Sequence, residues 1–105
     1  MRVFNIVTRR TLLNFCKIYP EASFALMEWY YEMLRQEFKS FNELKRVYKS
    51  ASLVGDDRVV FNIAGNKFRL VVRMIFEYKS IQIKWFGTHR EYDKINVKEI
   101  QFKKI

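Results

Sequence analysis

The strongest constraint on the fold of this chain is an alternation of apolar and polar residues within residues 59–87. From Phe68 to Met74 every second residue is apolar, whereas the interleaved positions from Lys67 to Arg73 are mostly cationic. Successive side chains of a strand point to opposite faces of a sheet, so this period of two predicts strands. We therefore expect a sheet with one apolar face, which other elements must cover, and one basic face.

Two short turns divide this region into hairpins. In the first, "AGNK", Gly65 and Asn66 both tolerate the positive φ that a tight hairpin needs, and the second is "EYKS". After the second turn, strict alternation assigns these residues to the apolar face: Ile81, Ile83 and Trp85. It assigns these to the opposite face: Gln82, Lys84 and Phe86. If pairing brings like faces together, Arg69, Arg73 and Lys84 share the basic surface.

The first part of the chain has the periodicity of helices. "RVFNIV", residues 2–7, alternates and predicts a first strand, and Thr8 can cap a helix after it. Apolar residues then follow at helical spacing: Leu12, Phe15, Cys16 and Tyr19. Pro20 interrupts this run and can open a second helix, residues 21–38, whose stripe of methionine and aromatic residues predicts packing against the sheet.

Shorter signals fill the region between the second helix and the hairpins. Ser40 and Glu43 have the spacing of a capping box, which predicts a short third helix. Residues 52–58, "SLVGDDR", are predicted to form a loop, with Asp56 and Asp57 in a solvated turn rather than a metal site. Because helices precede strands, we predict an α+β fold. N-terminal helices pack on one face of a mostly antiparallel sheet, with the early strand beside the hairpins.

Composition and charge restrict the classes of function. The 105 residues fit a single domain, with residues 96–105 as a basic tail or an added strand. No stretch approaches the ~20 apolar residues of a membrane span, and the single cysteine, Cys16, excludes an intramolecular disulfide. We therefore expect a cytoplasmic protein. The net charge of +9 favours nucleic acid or an acidic protein as partner, although many basic domains owe their charge to solubility alone.

The only histidine of the chain lies in "THREYD", residues 88–93, directly after the last predicted strand. Thr88 can cap a short helix there. Beside a basic sheet face, this cluster contains the parts for metal-free RNA cleavage, which needs groups that transfer protons and cations that stabilise the phosphorane. Histidine titrates near neutral pH, and tyrosine can serve where neighbouring cations lower its pKa. A lone histidine after a strand is more often structural, and arginines on a sheet face are more often solvated or salt-bridged.

Residues 56–95, "DDRVVFNIAGNKFRLVVRMIFEYKSIQIKWFGTHREYDKI", resemble the characteristic half of the HigB family of bacterial toxins. In that family a hairpin of the form VFNI-x-GN-x-[YF]-R-L leads to a strand that ends in GTH-x-EYDKI. The N-terminal half agrees in pattern, so the resemblance covers about residues 2–95. It implies a RelE-like α+β domain that cuts messenger RNA, commonly on the ribosome and without a cofactor, and that a cognate antitoxin silences.

The resemblance also marks individual residues: Asn62, Gly65, Asn66, Arg69, His89, Glu91, Tyr92 and Asp93. The hairpin residues among them, Asn62, Gly65 and Asn66, are expected to shape the turn rather than to react. Because the motif closes the basic strand pair, we assign His89 and Tyr92 to proton transfer. Arg73, with Arg69 assisting, is assigned to phosphate stabilisation. Asp93 is expected to orient or polarise a proton-transfer group, and Glu91 is a weaker acid or base candidate. RNA contacts are expected from a wider set of cations: Lys67, Arg69, Arg73, Lys84, Arg90 and Lys94.

The same residues support three hypotheses of function. The first is a metal-independent mRNA endoribonuclease of a type II toxin–antitoxin pair, which leaves 2′,3′-cyclic phosphate and 5′-hydroxyl ends. The second is a non-catalytic RNA- or ribosome-binding module with the same basic face. The third is an interaction protein whose charge serves only an acidic partner. Under the first, we expect a HigA-like helix-turn-helix antitoxin that covers or distorts the basic face, and contact with operator DNA only through that antitoxin.

Overall fold

The computed structural model describes residues 4–6 and 9–95 of the chain. The elements follow in the order β1 (Asn5–Ile6), α1 (Arg9–Ile18), a 3₁₀ turn (Pro20–Ala22), α2 (Ser23–Arg35), α3 (Phe41–Val47), β2 (Ser52–Val54), β3 (Arg58–Ile63), β4 (Phe68–Ile75), β5 (Ser80–Thr88) and α4 (His89–Tyr92). These strands form a sheet in the order β1-β5-β4-β3-β2, in which β1 is parallel to β5 and the other neighbours are antiparallel. The predicted α+β fold, with N-terminal helices and a mostly antiparallel sheet, is confirmed.

The helices pack on the apolar face of this sheet. Leu70 and Val72 of β4 are fully buried, in one cluster with Leu26 and Met33 of α2. Fully burying an aliphatic side chain of this kind contributes roughly 1.5–3 kcal/mol, so these contacts hold the two layers together. Arg69 precedes Leu70 in the strand and therefore points to the opposite, outer face. As predicted, Phe68, Leu70, Val72 and Met74 of β4 lie beneath the helices, and its arginines do not.

One part of the predicted register is wrong, because β5 contains a bulge. Val71 of β4 pairs with Trp85, but Val72 pairs with Ile83, which leaves Lys84 as an extra residue in β5. A single extra residue reverses the face to which every later side chain of the strand points. The alternation that holds for residues 81–83 is therefore out of phase beyond the bulge.

The bulge exchanges two aromatic residues between the faces of the sheet. Phe86, predicted to lie on the basic face, is 5% exposed in the core and stacks on Phe68 at 5.4 Å between ring centroids. Trp85, predicted to lie in the core, pairs with Val71 on the basic face. Apolar side chains before and after the bulge are thus both buried, although uninterrupted alternation would point them to opposite faces of the sheet.

The helices differ from their predicted bounds mainly at the end of α2. This helix ends at Arg35, since the next residue is extended with φ −91° and ψ 149°. Phe38 therefore reaches the core from a connecting segment rather than from the helix. The predicted cap at Thr8 and the tail of residues 96–105 lie outside the described residues. No helix in the described part of the chain is long and apolar enough to cross a membrane.

The segment between α2 and β3 is more regular than predicted. Ser40 caps α3 by accepting a hydrogen bond from the Glu43 N–H at 3.3 Å, as predicted, but the Glu43 carboxylate accepts from the Lys39 N–H rather than from Ser40. The predicted loop of residues 52–58 contains β2, an edge strand paired with β3. Asp56 and Asp57 make its tight turn with φ of 62° and 60°, a conformation that aspartate tolerates better than most residues.

Candidate functional site

The pairing of β4 with β5 positions the polar cluster. Phe68 pairs with Thr88 and Arg69 pairs with Gly87, so the end of β5 lies against the start of β4. Since α4 follows β5 without a loop, it begins beside the β3–β4 hairpin. The His89 N–H donates to the Lys67 carbonyl at 2.9 Å, which ties the first residue of α4 to that hairpin.

A capping box holds α4, which is only one turn long. The Thr88 hydroxyl accepts a hydrogen bond from the Glu91 N–H at 3.2 Å, and the Glu91 carboxylate accepts from the Thr88 N–H at 2.8 Å. The Tyr19 hydroxyl donates to the same carboxylate oxygen at 3.1 Å, which links the helical layer to α4. The bond from the Thr88 backbone is the main reason that the pKa of Glu91 lies below its ordinary value. The predicted cap at Thr88 is confirmed, and the Glu91 carboxylate is occupied as the acceptor of these two hydrogen bonds.

The β3–β4 hairpin binds the guanidinium of Arg69, which is 9% exposed. Nη1 donates to the carbonyls of Asn66 and Phe68 at 3.2 and 3.1 Å, and Nη2 donates to Oδ1 of Asn66 at 2.8 Å. Positive φ occurs at Ala64 and Gly65, so Asn66 shapes the turn through its side chain rather than through its φ. The hairpin thus holds a fixed positive charge close to the C-terminal end of β5.

The candidate proton-transfer residues lie in α4 or directly after it: His89, Tyr92 and Asp93. The His89 Nε2 lies 4.0 Å from Oδ2 of Asp93, one helical turn later, and both side chains are largely exposed. Burial raises the pKa of Tyr92 above its ordinary value, the charge of Arg69 opposes this rise, and Asp93 adds to it. The expectation that neighbouring cations lower the pKa of this tyrosine is therefore wrong. The phenol therefore keeps its proton at neutral pH.

A second group of charges lies further along the same face. Arg58 pairs with Arg73 across β3 and β4, and Arg73 lies 3.9 Å from Asp56 and 3.8 Å from Asp57. Burial lowers the pKa of Lys84, and the charges of Arg58 and Arg73 lower it further. Sequence reasoning missed Arg58, which is only 2% exposed, because alternation alone does not show where a strand begins.

The two groups of charges are separated along β4. Arg69 and Arg73 are four residues apart, which corresponds to about 13 Å along an extended strand. Arg69 is therefore the predicted phosphate-binding arginine that the structure brings to Tyr92, whereas Arg73 lies with Lys84. The remaining predicted RNA-binding cations, Lys67, Arg90 and Lys94, are exposed and lie at the α4 end of the face.

The candidate site also contains Trp85, which strict alternation places in the core. Its ring is partly exposed and lies 6.1 Å from the ring of Tyr92, measured between centroids. It also lies across Gly87, because a Cβ built there would be 2.7 Å from Cη2 of Trp85 and 2.9 Å from the Glu91 carboxylate. The glycine two positions after the tryptophan indicates that the indole can lie over the strand backbone, since residues i and i+2 share a face of a strand, but it does not indicate which face.

Comparison with known proteins agrees with this architecture. The model of the HigB toxin family, described as the RelE-like toxic component of a toxin–antitoxin system, matches residues 22–95, which include the basic face and α4. The chain is 30% identical over 91 residues to the mRNA interferase toxin HigB of Escherichia coli strain K12, which covers 85% of this chain and 88% of that protein. Proteins named mRNA interferase HigB in Escherichia coli O157:H7 and Shigella flexneri match to the same extent. The chain therefore belongs to the HigB family of toxins of toxin–antitoxin systems.

Proposed function

We propose that this protein is an mRNA interferase, an endoribonuclease that cuts messenger RNA on the ribosome in the cytoplasm and thereby stops translation. The observation that carries this proposal is that the charge of a buried arginine, Arg69, acts on Tyr92 at one end of the basic sheet face. His89 and Asp93 lie 4.0 Å apart in the same helical turn as Tyr92. Such a set offers proton transfer and charge stabilisation at one phosphate, which are the requirements of RNA cleavage by the ribose 2′-hydroxyl.

The proposed reaction needs no group beyond these side chains. His89 takes the proton of the ribose 2′-hydroxyl, and that oxygen forms a bond to the adjacent phosphorus. The bond from phosphorus to the 5′-oxygen breaks, and Tyr92 gives its proton to the leaving oxygen. Asp93 orients the imidazole, and Arg69 stabilises the extra negative charge of the phosphorane. The products are a 2′,3′-cyclic phosphate and a 5′-hydroxyl.

Arg73 and Lys84 have a different part in this proposal. Because Arg73 lies about 13 Å from Arg69 along β4 and Lys84 lies beside it, we assign both to a phosphate further along the message rather than to the one that is cut. They therefore bind and align the RNA, together with the exposed cations at the α4 end of the face: Lys67, Arg90 and Lys94. The phosphate-stabilising role assigned to Arg73 from sequence passes mainly to Arg69.

Mapping transcript ends tests this function directly. The protein should be induced in growing bacteria, and the 5′ ends of all messages should be compared before and after induction. A nuclease predicts new 5′-hydroxyl ends within translated frames. Growth arrest with intact messages would instead favour a non-catalytic RNA- or ribosome-binding module. Neither arrest nor cleavage would favour a protein whose charge serves only an acidic partner.

We predict that Glu91 acts by holding α4 and not as an acid or base. Glu91→Gln keeps an oxygen that can accept from the Thr88 N–H and the Tyr19 hydroxyl, so it should cleave close to the wild-type rate. Glu91→Ala should lose the cap and about 1 kcal/mol of stability, measured by denaturant unfolding. If Glu91→Gln alone cost about 10²-fold or more in rate with unchanged stability, Glu91 would be part of the chemistry.

The lowered pKa of Glu91 adds a pH dependence to the same prediction. A carboxyl group whose pKa is lower in the folded state stabilises the fold above the ordinary glutamate pKa. This stability is lost as pH falls through the lowered value. The wild-type protein should therefore lose stability in this acid range, whereas Glu91→Gln should lose less. Equal losses in both proteins would contradict the assigned bonding of Glu91.

As a member of a toxin–antitoxin family, the chain has an antitoxin as partner. We propose a HigA-like helix-turn-helix antitoxin that covers or distorts the basic face and carries any contact with operator DNA. The net charge of +9 should make association fast and sensitive to salt, with a rate that falls by about tenfold or more from low to high salt. Stopped-flow measurement would decide this, and a rate that does not change with salt would contradict charge-steered association.

A further inference from the structure

We infer that Trp85 is a stacking platform for a base of the RNA substrate, beside the phosphate that is cut. This inference rests on the proposed function, since it assigns a residue to the binding of the same message. It concerns the one aromatic side chain that the bulge of β5 turns out of the core and onto the basic face. Bulges commonly occur next to active sites, where they redirect a side chain.

The support beneath the ring favours a binding role. The indole lies over Gly87, where the nearest of its carbons would be 2.7 Å from a Cβ, so a side chain at that position would displace the ring. One face of the indole thus rests on the strand backbone. The ring of Tyr92 lies beside the indole, with 6.1 Å between ring centroids and an interplanar angle of 53°. A rigid ring that is already in place loses little conformational entropy when a base stacks on it.

The surroundings of Trp85 identify the ligand as single-stranded RNA. Arg69 pairs with Gly87, the residue over which the indole lies, so the neighbouring strand carries a cation at this level of the basic face. Proteins that bind single strands combine such cations for the backbone with aromatic rings on which bases stack. Stacking accepts every base, which suits an enzyme that meets many messages. A base held on Trp85 would also place its own ribose within reach of α4.

A simpler role for Trp85 is to cover Val71, its partner in β4, which is fully buried on this face. Any large apolar side chain could do this, whereas stacking needs a flat aromatic face. Trp85→Leu keeps apolar cover without a π-face, and Trp85→Phe keeps both. The two variants therefore separate packing from stacking, and thermal unfolding of each shows whether the fold survives.

The experiment uses a short single-stranded RNA with 2′-O-methyl groups throughout, which cannot be cut by 2′-hydroxyl attack. Stacking on the wild-type protein is followed by intrinsic fluorescence, because the other tryptophan, Trp29, is 2% exposed and lies in the core. The affinities of all variants are measured by the fluorescence anisotropy of an end-labelled RNA, since the Trp85 variants lack the reporting ring. We expect RNA to quench the fluorescence of Trp85, and Trp85→Leu to bind roughly 5- to 150-fold more weakly while Trp85→Phe binds nearly as well as the wild type. Phe24→Ala is the control, since this aromatic is 78% exposed on α2, in the helical layer.

RNAs with a single abasic position complete the test. One abasic position should weaken binding of the wild-type protein and have little further effect on Trp85→Leu, because the same contact is already missing. The inference is overturned if Trp85→Leu and Trp85→Phe bind equally, if no position shows this dependence, or if the RNA leaves the fluorescence unchanged or fails to bind. Stacking without cleavage of unmethylated messages would contradict only the proposed nuclease. Cleavage with Trp85-independent binding would contradict only this inference.

Discussion

Tyr92→Phe should lower the rate of mRNA cleavage by about 10²–10⁴-fold, because it removes a positioned proton donor. Burial keeps the pKa of this phenol above its ordinary value despite the nearby charge of Arg69, so the wild-type group carries its proton at neutral pH. The substitution removes one hydroxyl and leaves the ring beside Trp85. The variant should therefore fold and bind its antitoxin normally. The rate should be measured on ribosomes that translate a defined message.

His89→Ala should show a loss of similar size, since it removes the group assigned to the 2′-hydroxyl proton. The control is Tyr78→Phe, which removes a hydroxyl from a residue that is 68% exposed in the β4–β5 turn and should leave the rate unchanged. Products of the wild-type protein should carry 2′,3′-cyclic phosphate or 3′-phosphate ends. Cleavage should persist in EDTA wherever ribosome integrity is not at issue. If both Tyr92→Phe and His89→Ala cut at the wild-type rate, α4 is structural and the acid and base lie elsewhere on the sheet.

Replacing Arg69, Arg73 and Lys84 together with alanine should weaken RNA binding and reduce its dependence on salt. A lost phosphate contact costs about 1 kcal/mol or more, so the combined change is roughly 10²-fold in affinity. Each contact to a single strand also contributes about 0.7 to the slope of log affinity against log salt, so the slope should fall by about 2. Affinities for ribosomes and for a single-stranded RNA should be measured across a salt series.

A charge-matched control separates the basic face from net charge. Lys17, Lys39 and Lys49 are exposed cations of the helical layer, and replacing all three with alanine removes the same charge. This variant should keep most of its affinity and slope. Because Arg69 also clamps the β3–β4 hairpin, the double variant at Arg73 and Lys84 should be compared as well. Unchanged affinity and slope in the triple variant would place the RNA-binding surface elsewhere.

Much of this architecture could be predicted from local pattern alone. The period of two in β4 requires that Leu70 and Arg69 point to opposite faces, whatever else the chain does. The cap at Thr88 could be predicted for a similar reason, because Thr88 and Glu91 each accept a hydrogen bond from the backbone N–H of the other. The helices were predictable because an apolar stripe must be buried, and the apolar face of the sheet is the surface that buries it.

The tertiary structure decided what depends on pairing between distant segments. The bulge at Lys84 inserts one residue relative to β4, and no feature of β5 alone distinguishes it from a regular strand, so only the pairing reveals that Trp85 and Phe86 exchange faces. The pKa of Tyr92 also depends on contacts between distant segments. Burial and charge act on Tyr92 in opposite directions, and only the packing around the ring determines that burial prevails. Periodicity specifies the direction of a side chain along one element, whereas its neighbours, and therefore its chemistry, are set when elements separated in sequence come into contact.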